Sequence, residues 1–134
     1  MTAKAGLSQI NIVVSDLDAS IAFYEKLGLT FSVDAGQPSH ATCELPDGTF
    51  VMLDTEEAVT RFTPGWTRPT GGPRVAFGFG LPTAKAVDAL YEELVAAGHP
   101  SLREPWSSEW GVRYATVVDP DGTPADLQAP LDGS

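Results

Sequence analysis

The sequence contains a single cysteine, Cys43, and only two histidines, His40 and His99. A lone cysteine excludes an intrachain disulfide and a cluster of thiolate metal ligands. Cys43 alternates with Ala41 and Leu45 in HATCEL, which is typical of a small buried residue rather than a reactive thiol. The two histidines must supply any imidazole base. His99 follows a predicted helix end, which is typical of a solvated turn residue.

Basic residues and long apolar runs are also scarce. Eight lysines and arginines stand against eighteen acidic residues, so the formal net charge is −10. Such a charge repels phosphate backbones and attracts cations, which argues against nucleic acid as a partner. No apolar run approaches the length of a membrane span, and the first residues lack the pattern of a signal peptide. We therefore expect a cytoplasmic protein with no membrane partner.

An internal repeat organises the 134 residues, whose composition is that of an ordinary globular domain. Three pairs of segments match: 9–14 with 74–79, 22–29 with 89–98, and 46–54 with 120–128. The offset between the copies grows from 65 to 67 to 74, as loop insertions in a duplicated unit would produce. The alternative is chance similarity between short amphipathic helices, but PDGT recurs in both copies.

Each copy of the repeat has the pattern of a βαβββ module. A β-branched run precedes an amphipathic helix, and three strands follow, the last two joined by a Pro-Asp-Gly turn. The helices are predicted to bury one stripe each, and their ends carry capping residues. The stripes are Leu17, Ile21 and Tyr24, then Val87, Leu90 and Leu94; the N-caps are Asp16 and Thr83, and the C′ residues are Gly28 and Gly98.

The predicted fold class is therefore α+β, in one domain spanning residues 1–134. Module one covers 7–54 and module two covers 74–130. The stretch between them, 55–73, is rich in Pro, Gly and Thr, which predicts a long connector.

The motifs INIVVSDLDASIAFYEKLGLTF and VVDPDGTPADLQ, on a repeated βαβββ unit, resemble the vicinal oxygen chelate superfamily. This superfamily contains glyoxalase I, extradiol dioxygenases and bleomycin-resistance proteins, and the resemblance covers nearly the whole chain. It implies a cupped mixed sheet around a cavity, in a homodimer that is domain-swapped or shares its modules. The resemblance does not indicate whether the protein is an enzyme or a binding protein.

In the metal enzymes of this superfamily, ligands come from the opening and closing strands of each module. The resemblance carries these positions onto Gln9 and Met52, and onto Arg74 and Asp126. Gln9 and Asp126 suit a hard divalent ion, but a guanidinium has no acceptor and a thioether suits soft ions. We therefore expect no bound metal and no other cofactor. Arg74 either forms an ion pair with Asp126 or faces the subunit seam.

The stretch PWSSEWGVRY, residues 105–114, places Trp106 and Trp110 in a predicted polar loop before a predicted strand. Tryptophan offers a large flat surface on which aromatic ligands stack. This stretch, together with HATCELPDG and DTEEAVTRFTPGWTRPTGG, most closely resembles the antibiotic-binding mitomycin-resistance branch of the superfamily. In that branch a histidine and a tryptophan sandwich the drug, and the matching positions are His40 and Trp110.

Other residues are assigned to the same predicted site with alternatives left open. Trp106 either walls the site or plugs the end of the sheet, and Trp66 is either a lid or a dimer contact. Asp54 either accepts a hydrogen bond from a ligand amine or belongs to a solvated helix start. The complete predicted ligand-binding set is His40, Trp110, Trp106, Trp66, Asp54, Met52, Asn11, Arg74 and Asp126.

These patterns predict a protein that sequesters an aromatic, cationic antibiotic without catalysis. No catalytic residue is predicted, because Ser107 and Ser108 lack a nearby histidine and a nucleophile elbow. One alternative is a divalent-metal glyoxalase- or dioxygenase-type enzyme that uses Gln9 and Asp126. Another is an accessory role in which the ligand passes to an exporter or to a biosynthetic enzyme.

Overall fold

The computed structural model describes residues 3–133 and divides into two compact units, unit 1 ending at Pro69 and unit 2 beginning at Thr70. Unit 1 contains β1 (Gln9–Val14), α1 (Leu17–Lys26), β2 (His40–Glu44), β3 (Phe50–Thr55) and α2 (Glu56–Phe62). Unit 2 contains β4 (Phe77–Gly80), α3 (Ala84–Ala96), β5 (Ser101–Ser107), β6 (Val112–Val118), β7 (Pro124–Pro130) and a 3₁₀ turn (Leu131–Gly133). The predicted α+β class is confirmed, and within 3–133 no helix is long and apolar enough to cross a membrane.

Unit 1 is a three-stranded sheet in the order β1-β3-β2, with β1 parallel and β2 antiparallel to the central β3. Alternate residues of the strands are buried, and α1 packs on this side with Phe23 and Tyr24, whose rings meet edge to face at 4.9 Å. The buried strand residues are Ile12, Val14, Ala41, Cys43, Val51 and Leu53. The opposite side of the sheet therefore presents the remaining side chains.

The second strand predicted for module one is reduced to an isolated bridge between Ser32 and Thr42. The residues after Ser32 explain this difference. Asp34 accepts a hydrogen bond from the backbone N–H of Gly36 at 2.9 Å, and Pro38 follows, so the chain turns instead of extending. Only unit 2 shows the complete βαβββ pattern.

The predicted capping residues are confirmed in both long helices. Asp16 accepts a hydrogen bond from the N–H of Ala19 at 3.0 Å, and Thr83 accepts one from that of Ala86 at 3.1 Å. Gly28 and Gly98 follow the helices with φ of 97° and 98°, a left-handed conformation that favours glycine. The predicted stripes are nearly right: Leu17, Tyr24, Val87 and Leu94 are buried, but Ile21 and Leu90 are half-buried and Phe23 and Tyr91 complete the core.

The predicted connector contains a helix, α2, directly after β3. Thr55 caps it by accepting a hydrogen bond from the N–H of Ala58 at 3.2 Å, and Ala58 is buried. Later in the same stretch, Arg68 Nε donates to Glu56 Oε2 at 2.8 Å. This hydrogen bond holds the pKa of the Glu56 carboxyl below its ordinary value. The sequence had left open a helix start at Asp54, and α2 indeed begins two residues later, at Glu56, while Asp54 itself lies in β3.

Unit 2 is a four-stranded sheet in the order β4-β7-β6-β5, with β4 parallel to β7 and the other pairs antiparallel. One side is covered by α3, which buries Val87, Tyr91 and Leu94. The strand residues buried on this side are Ala115, Val117, Ala125, Leu127 and Ala129. Arg113 ties α3 to the sheet, because its guanidinium donates two hydrogen bonds to Asp88 at 3.0 and 3.2 Å.

Arg74 does not lie in the opening strand of unit 2, as the 74–79 match had predicted. The strand begins at Phe77, three residues later, and Arg74 is exposed. The ladder between β4 and β7 starts at Phe77 and Ala125, directly after Pro124, which has no N–H to donate. The alignment of the opening strands at an offset of 65 is therefore wrong for this position.

Candidate functional site

The side of the unit 1 sheet away from α1 forms what we call the polar face. Because side chains alternate along a strand, residues that pair across the ladder share this face. One row holds Asn11, Met52 and Thr42, and the next holds Asp54 and His40. The ladder thus brings four residues of the predicted ligand-binding set, Asn11, His40, Met52 and Asp54, onto one surface.

A continuous chain of hydrogen bonds crosses the polar face. Gln9 Nε2 donates to Asn11 Oδ1 at 2.6 Å, and Asn11 Nδ2 donates to Asp54 Oδ2 at 2.7 Å. The other oxygen, Asp54 Oδ1, lies 2.6 Å from His40 Nδ1, and His40 Nε2 lies 2.9 Å from Thr42 Oγ1. Both ring nitrogens of His40 are therefore engaged, so the imidazole is held in one orientation and Asp54 acts as its positioning partner.

A small cavity of about 250 Å³ lies beside this hydrogen-bonded chain in unit 1. The side chains of His40 and Asp54 are 26% and 13% exposed there, so the pair is partly shielded from water. The other walls come from the loop before β2 and from α2, where Phe62 is 75% exposed. The lining residues are Gly36, Gln37, Pro38, Ser39, His40, Asp54, Ala58, Arg61 and Phe62.

In unit 2, the stretch 105–114 forms a β-hairpin instead of the predicted polar loop. Trp106 lies in β5 opposite Tyr114 in β6, and Trp110 lies in the turn, two residues before β6. Buried Ser108 closes the turn, since its hydroxyl accepts from the N–H of Val112 at 3.0 Å. The serine-rich composition suggested a loop, but one serine is used to bridge the hairpin.

The hairpin gathers an aromatic cluster on the side of the sheet away from α3. Trp106 stacks on Tyr114 with ring centroids 5.2 Å apart and planes at 27°, and Trp110 meets Trp106 edge-on at 5.9 Å. Trp110 Nε1 donates to the Tyr114 hydroxyl at 2.9 Å. The guanidinium carbon of Arg103 lies 3.7 Å from the centroid of the Trp106 ring.

The two tryptophans consequently differ in what they offer to a ligand. The ring of Trp106 already contacts Arg103 and Tyr114, and Trp106 is half-buried. Trp110 is 66% exposed within unit 2, so much of its indole surface is open. Neither ring fills the core beneath α3.

A carboxylate lies beside the aromatic cluster. Asp126 in β7 pairs with Thr116 in β6, and Thr116 Oγ1 donates to Asp126 Oδ1 at 2.6 Å. The cluster and the carboxylate line a shallow cavity of about 240 Å³, which we call the aromatic pocket. Its lining residues are Arg103, Trp106, Trp110, Tyr114, Thr116 and Asp126.

Three of the pocket residues, Arg103, Tyr114 and Thr116, were missed by the sequence analysis. A signal for two of them exists in the repeat, because adding the offset of 74 to His40 and Thr42 gives Tyr114 and Thr116. The strand pairing supports this correspondence. His40 pairs with Asp54 in unit 1, and the residues at the offset of 74, Tyr114 and Gln128, pair in unit 2. Arg103 has no such signal.

Some predicted site residues are not brought to either surface. Arg74 is exposed, and among the residues that the structure describes it forms no ion pair with Asp126. Trp66 is half-buried in the segment after α2, where its backbone N–H donates a hydrogen bond to the carbonyl of Thr63 at 3.0 Å. His40 and Trp110 lie in different units, so the sandwich between them stays a prediction.

The four positions at which related metal enzymes bind their ion do not form a suitable donor set. Unit 1 offers the amide of Gln9 and the thioether of Met52, and unit 2 offers Asp126, while Arg74 lies outside its strand. Within 3–133 no three His, Cys, Asp or Glu side chains come together as metal ligands. A hard divalent ion prefers several oxygen ligands, so these residues do not fit one.

The chain is similar in sequence and structure to known proteins. The family model of the Glyoxalase/Bleomycin resistance protein/Dioxygenase superfamily matches residues 6–126. No curated protein matches the chain significantly.

Three solved structures illustrate the similarity of fold. A glyoxalase/bleomycin resistance protein/dioxygenase from Nocardioides shares 27% identity and a TM-score of 0.75, over 100% of this chain and 89% of that one. A family enzyme from Burkholderia phytofirmans PsJN shares 23% identity and a TM-score of 0.81, over 95% and 100%. A glyoxalase-related enzyme from Fulvimarina pelagi shares 24% identity and a TM-score of 0.79, over 96% and 95%.

The two sheets and three α-helices described above match the fold of these proteins. The family match spans most of the chain and includes the first copy of the repeat and most of the second. The chain belongs to the glyoxalase/bleomycin resistance protein/dioxygenase superfamily.

Proposed function

We propose that the protein binds a flat, aromatic, cationic molecule of the antibiotic type in the cytoplasm and sequesters it without transforming it. The observation that carries this proposal is the aromatic pocket, in which the open indole of Trp110 and the carboxylate of Asp126 line the same cavity. The name of the superfamily includes bleomycin-resistance proteins, so a binding role has precedent among its members.

The chemistry of the pocket supports an aromatic cation as the ligand. A flat ring that stacks on an aromatic side chain gains roughly 1–3 kcal/mol in proteins that bind bases, and Trp110 presents the largest such surface. Asp126 supplies a negative charge within the same cavity. The formal net charge of −10 adds a longer-range attraction for cations.

The polar face is compatible with a binding role. The His40 ring is hydrogen-bonded at both nitrogens, so it is held in one orientation in which its flat surface can stack on a ligand. The donor set at the family's metal positions does not suit a hard divalent ion. A stoichiometric binder needs no metal, because protection then depends on affinity and protein concentration alone.

A fluorescence titration tests this function. We expect planar cationic antibiotics to quench the tryptophan emission, with the same affinity before and after treatment with a chelator. The affinity should fall modestly as salt rises, because counterions screen the acidic charge. The variant Trp66→Phe is the control, since Trp66 lies outside the aromatic pocket and its loss should leave the quenching intact.

Elemental analysis of the same protein separates this proposal from the metal-enzyme alternative. One divalent ion per chain, together with loss of binding after chelation, would contradict the proposal. Two of the similar structures are described as enzymes, at 23% and 24% identity, which establishes a shared fold only.

We also propose that the protein works as a homodimer. Each unit has two edge strands, β1 and β2 in unit 1 and β4 and β5 in unit 2. Unpaired strand edges and open sheet faces favour association with a second copy. Sedimentation equilibrium at micromolar concentration should therefore give about twice the chain mass of 14.2 kDa. A species at the mass of one chain would contradict the dimer without affecting the ligand proposal.

A further inference from the structure

The aromatic pocket already contains a planar cation, the guanidinium of Arg103. Its central carbon lies 3.7 Å from the centroid of the Trp106 ring, and Trp106 in turn stacks on Tyr114. A guanidinium is flat and its charge is delocalised, so it stacks on an aromatic ring as a flat cationic ligand would. Arg103 thus covers indole surface that a ligand of this class would otherwise contact.

Arg103 is held in this position by few other contacts. It is exposed on β5, an edge strand, and the ladder to β6 is irregular on both sides of it. Within the part of the chain that the structure describes, its guanidinium forms no ion pair. Arg113 on the neighbouring strand shows the contrast, because two hydrogen bonds to Asp88 hold it in place.

The charges of the aromatic pocket also favour displacement of Arg103 by a cationic ligand. Arg103 is the basic residue among the pocket-lining residues, and Asp126 is the acidic one. A cationic ligand that enters beside Arg103 meets like charge, whereas a ligand that takes its place on Trp106 leaves the charge balance of the pocket unchanged. Displacement of Arg103 is therefore electrostatically preferable to binding beside it.

We propose that Arg103 is a displaceable internal occupant of the aromatic pocket, and that a planar aromatic cation binds by taking its place on Trp106. This inference rests on the proposed function and deepens it. Arg103 thereby sets the interaction energy that any ligand must exceed, and a planar cation is favoured because it replaces both the stacking on Trp106 and the positive charge opposite Asp126. The cavity of about 240 Å³ is smaller than a typical drug pocket, so unit 2 accommodates a fragment of one or two fused rings.

The test compares two small probes, N-methylquinolinium and the uncharged quinoline, at a pH where quinoline is not protonated. Binding to the full chain is followed by NMR titration of the tryptophan indole N–H signals. The first variant, Arg103→Ala, removes the positive charge and the planar group that lies over the Trp106 ring. The second, Arg103→Gln, removes the charge but keeps a planar group at this position. The control is Lys85→Ala, which removes the same charge from an exposed position on α3 of unit 2.

We expect Arg103→Ala to raise the affinity for N-methylquinolinium by about twofold to thirtyfold, the range of a lost cation–π contact. Quinoline should gain by a similar factor, because it too must displace Arg103 from Trp106. Its affinity should stay below that of N-methylquinolinium in every variant, because quinoline carries no positive charge to offset Asp126. Arg103→Gln should fall between the wild type and Arg103→Ala for the cation. Lys85→Ala should differ little from the wild type. Since Arg103 is exposed on an edge strand, the thermal midpoints should remain close together.

An unchanged or weaker affinity of Arg103→Ala for the cation would overturn the inference while leaving the proposed function intact. A gain confined to N-methylquinolinium would also overturn it, because Arg103 would then repel a cation from beside the ligand position instead of occupying that position on Trp106. Failure of the wild type and every variant to bind either probe would remove both the inference and the proposed function.

Discussion

Replacement of Trp110 by alanine is expected to lower the affinity for a flat cationic ligand by about fivefold to more than a hundredfold, which corresponds to the loss of one aromatic stacking surface. The thermal midpoint should move by only a few degrees, because Trp110 is 66% exposed and its side-chain hydrogen bond to Tyr114 lies at the surface. Trp110→Phe should recover part of the affinity, since a smaller ring still stacks. The measurement is a fluorescence or calorimetric titration alongside thermal denaturation.

Leu102→Ala is the matched control for this experiment. Leu102 is 64% exposed on β5 and lies outside the residues that line the aromatic pocket, so its loss should leave affinity unchanged. His40→Ala should show a deficit comparable to that of Trp110→Ala if the two rings hold one ligand between them. A Trp110→Ala protein that melts much lower but binds normally while folded would sink the stacking hypothesis and favour a structural role for this ring.

A large effect on stability is expected from Asp119→Ala in the turn between β6 and β7. Asp119 is 2% exposed, and its Oδ1 accepts hydrogen bonds from the N–H groups of Asp121 and Thr123 at 2.8 and 2.9 Å. Alanine removes the single oxygen to which both of these N–H groups donate in a partly buried turn. The free energy of unfolding should fall by about 2–4 kcal/mol, as measured by urea denaturation.

The equivalent turn of unit 1 supplies the control for Asp119. There Asp47 is exposed and accepts a hydrogen bond from the backbone N–H of Thr49 at 2.9 Å. This bond lowers the pKa of the Asp47 carboxyl from its ordinary value. Asp47→Ala should destabilise the protein far less than Asp119→Ala. Equal losses from the two variants would mean that turn formation, not the burial of Asp119, sets the effect.

The two turns share a backbone hydrogen bond but differ in the side chain at the residue that donates it. Adding the offset of 74 to Leu45 gives Asp119, and both residues donate their N–H to a threonine carbonyl four residues later, at 2.8 and 2.9 Å. Both turns therefore have the same backbone hydrogen bond, but only Asp119 adds a side-chain acceptor, since leucine has none. The Pro-Asp-Gly pattern predicted both turns, at 46–48 and 120–122, but it did not indicate Asp119, because the burial of this residue is a tertiary property.

The sequence by itself determined the local features of this protein. The N-caps Asp16 and Thr83 and the C′ residues Gly28 and Gly98 were predicted correctly, because each acts through hydrogen bonds or dihedral angles within a few residues. The repeat predicted the βαβββ pattern, which unit 2 shows complete. The α+β class followed from these elements, and the resemblance of their motifs predicted the superfamily correctly.

Only the tertiary structure decided which side chains meet. The position of Arg103 on Trp106 depends on an irregular register between β5 and β6, and a shift of one residue would move Arg103 to the other side of the sheet. The contact of Asp54 with His40 likewise requires the pairing of β2 with β3. Neighbours across a ladder are far apart in sequence, so their meeting is set by strand register and packing rather than by local pattern.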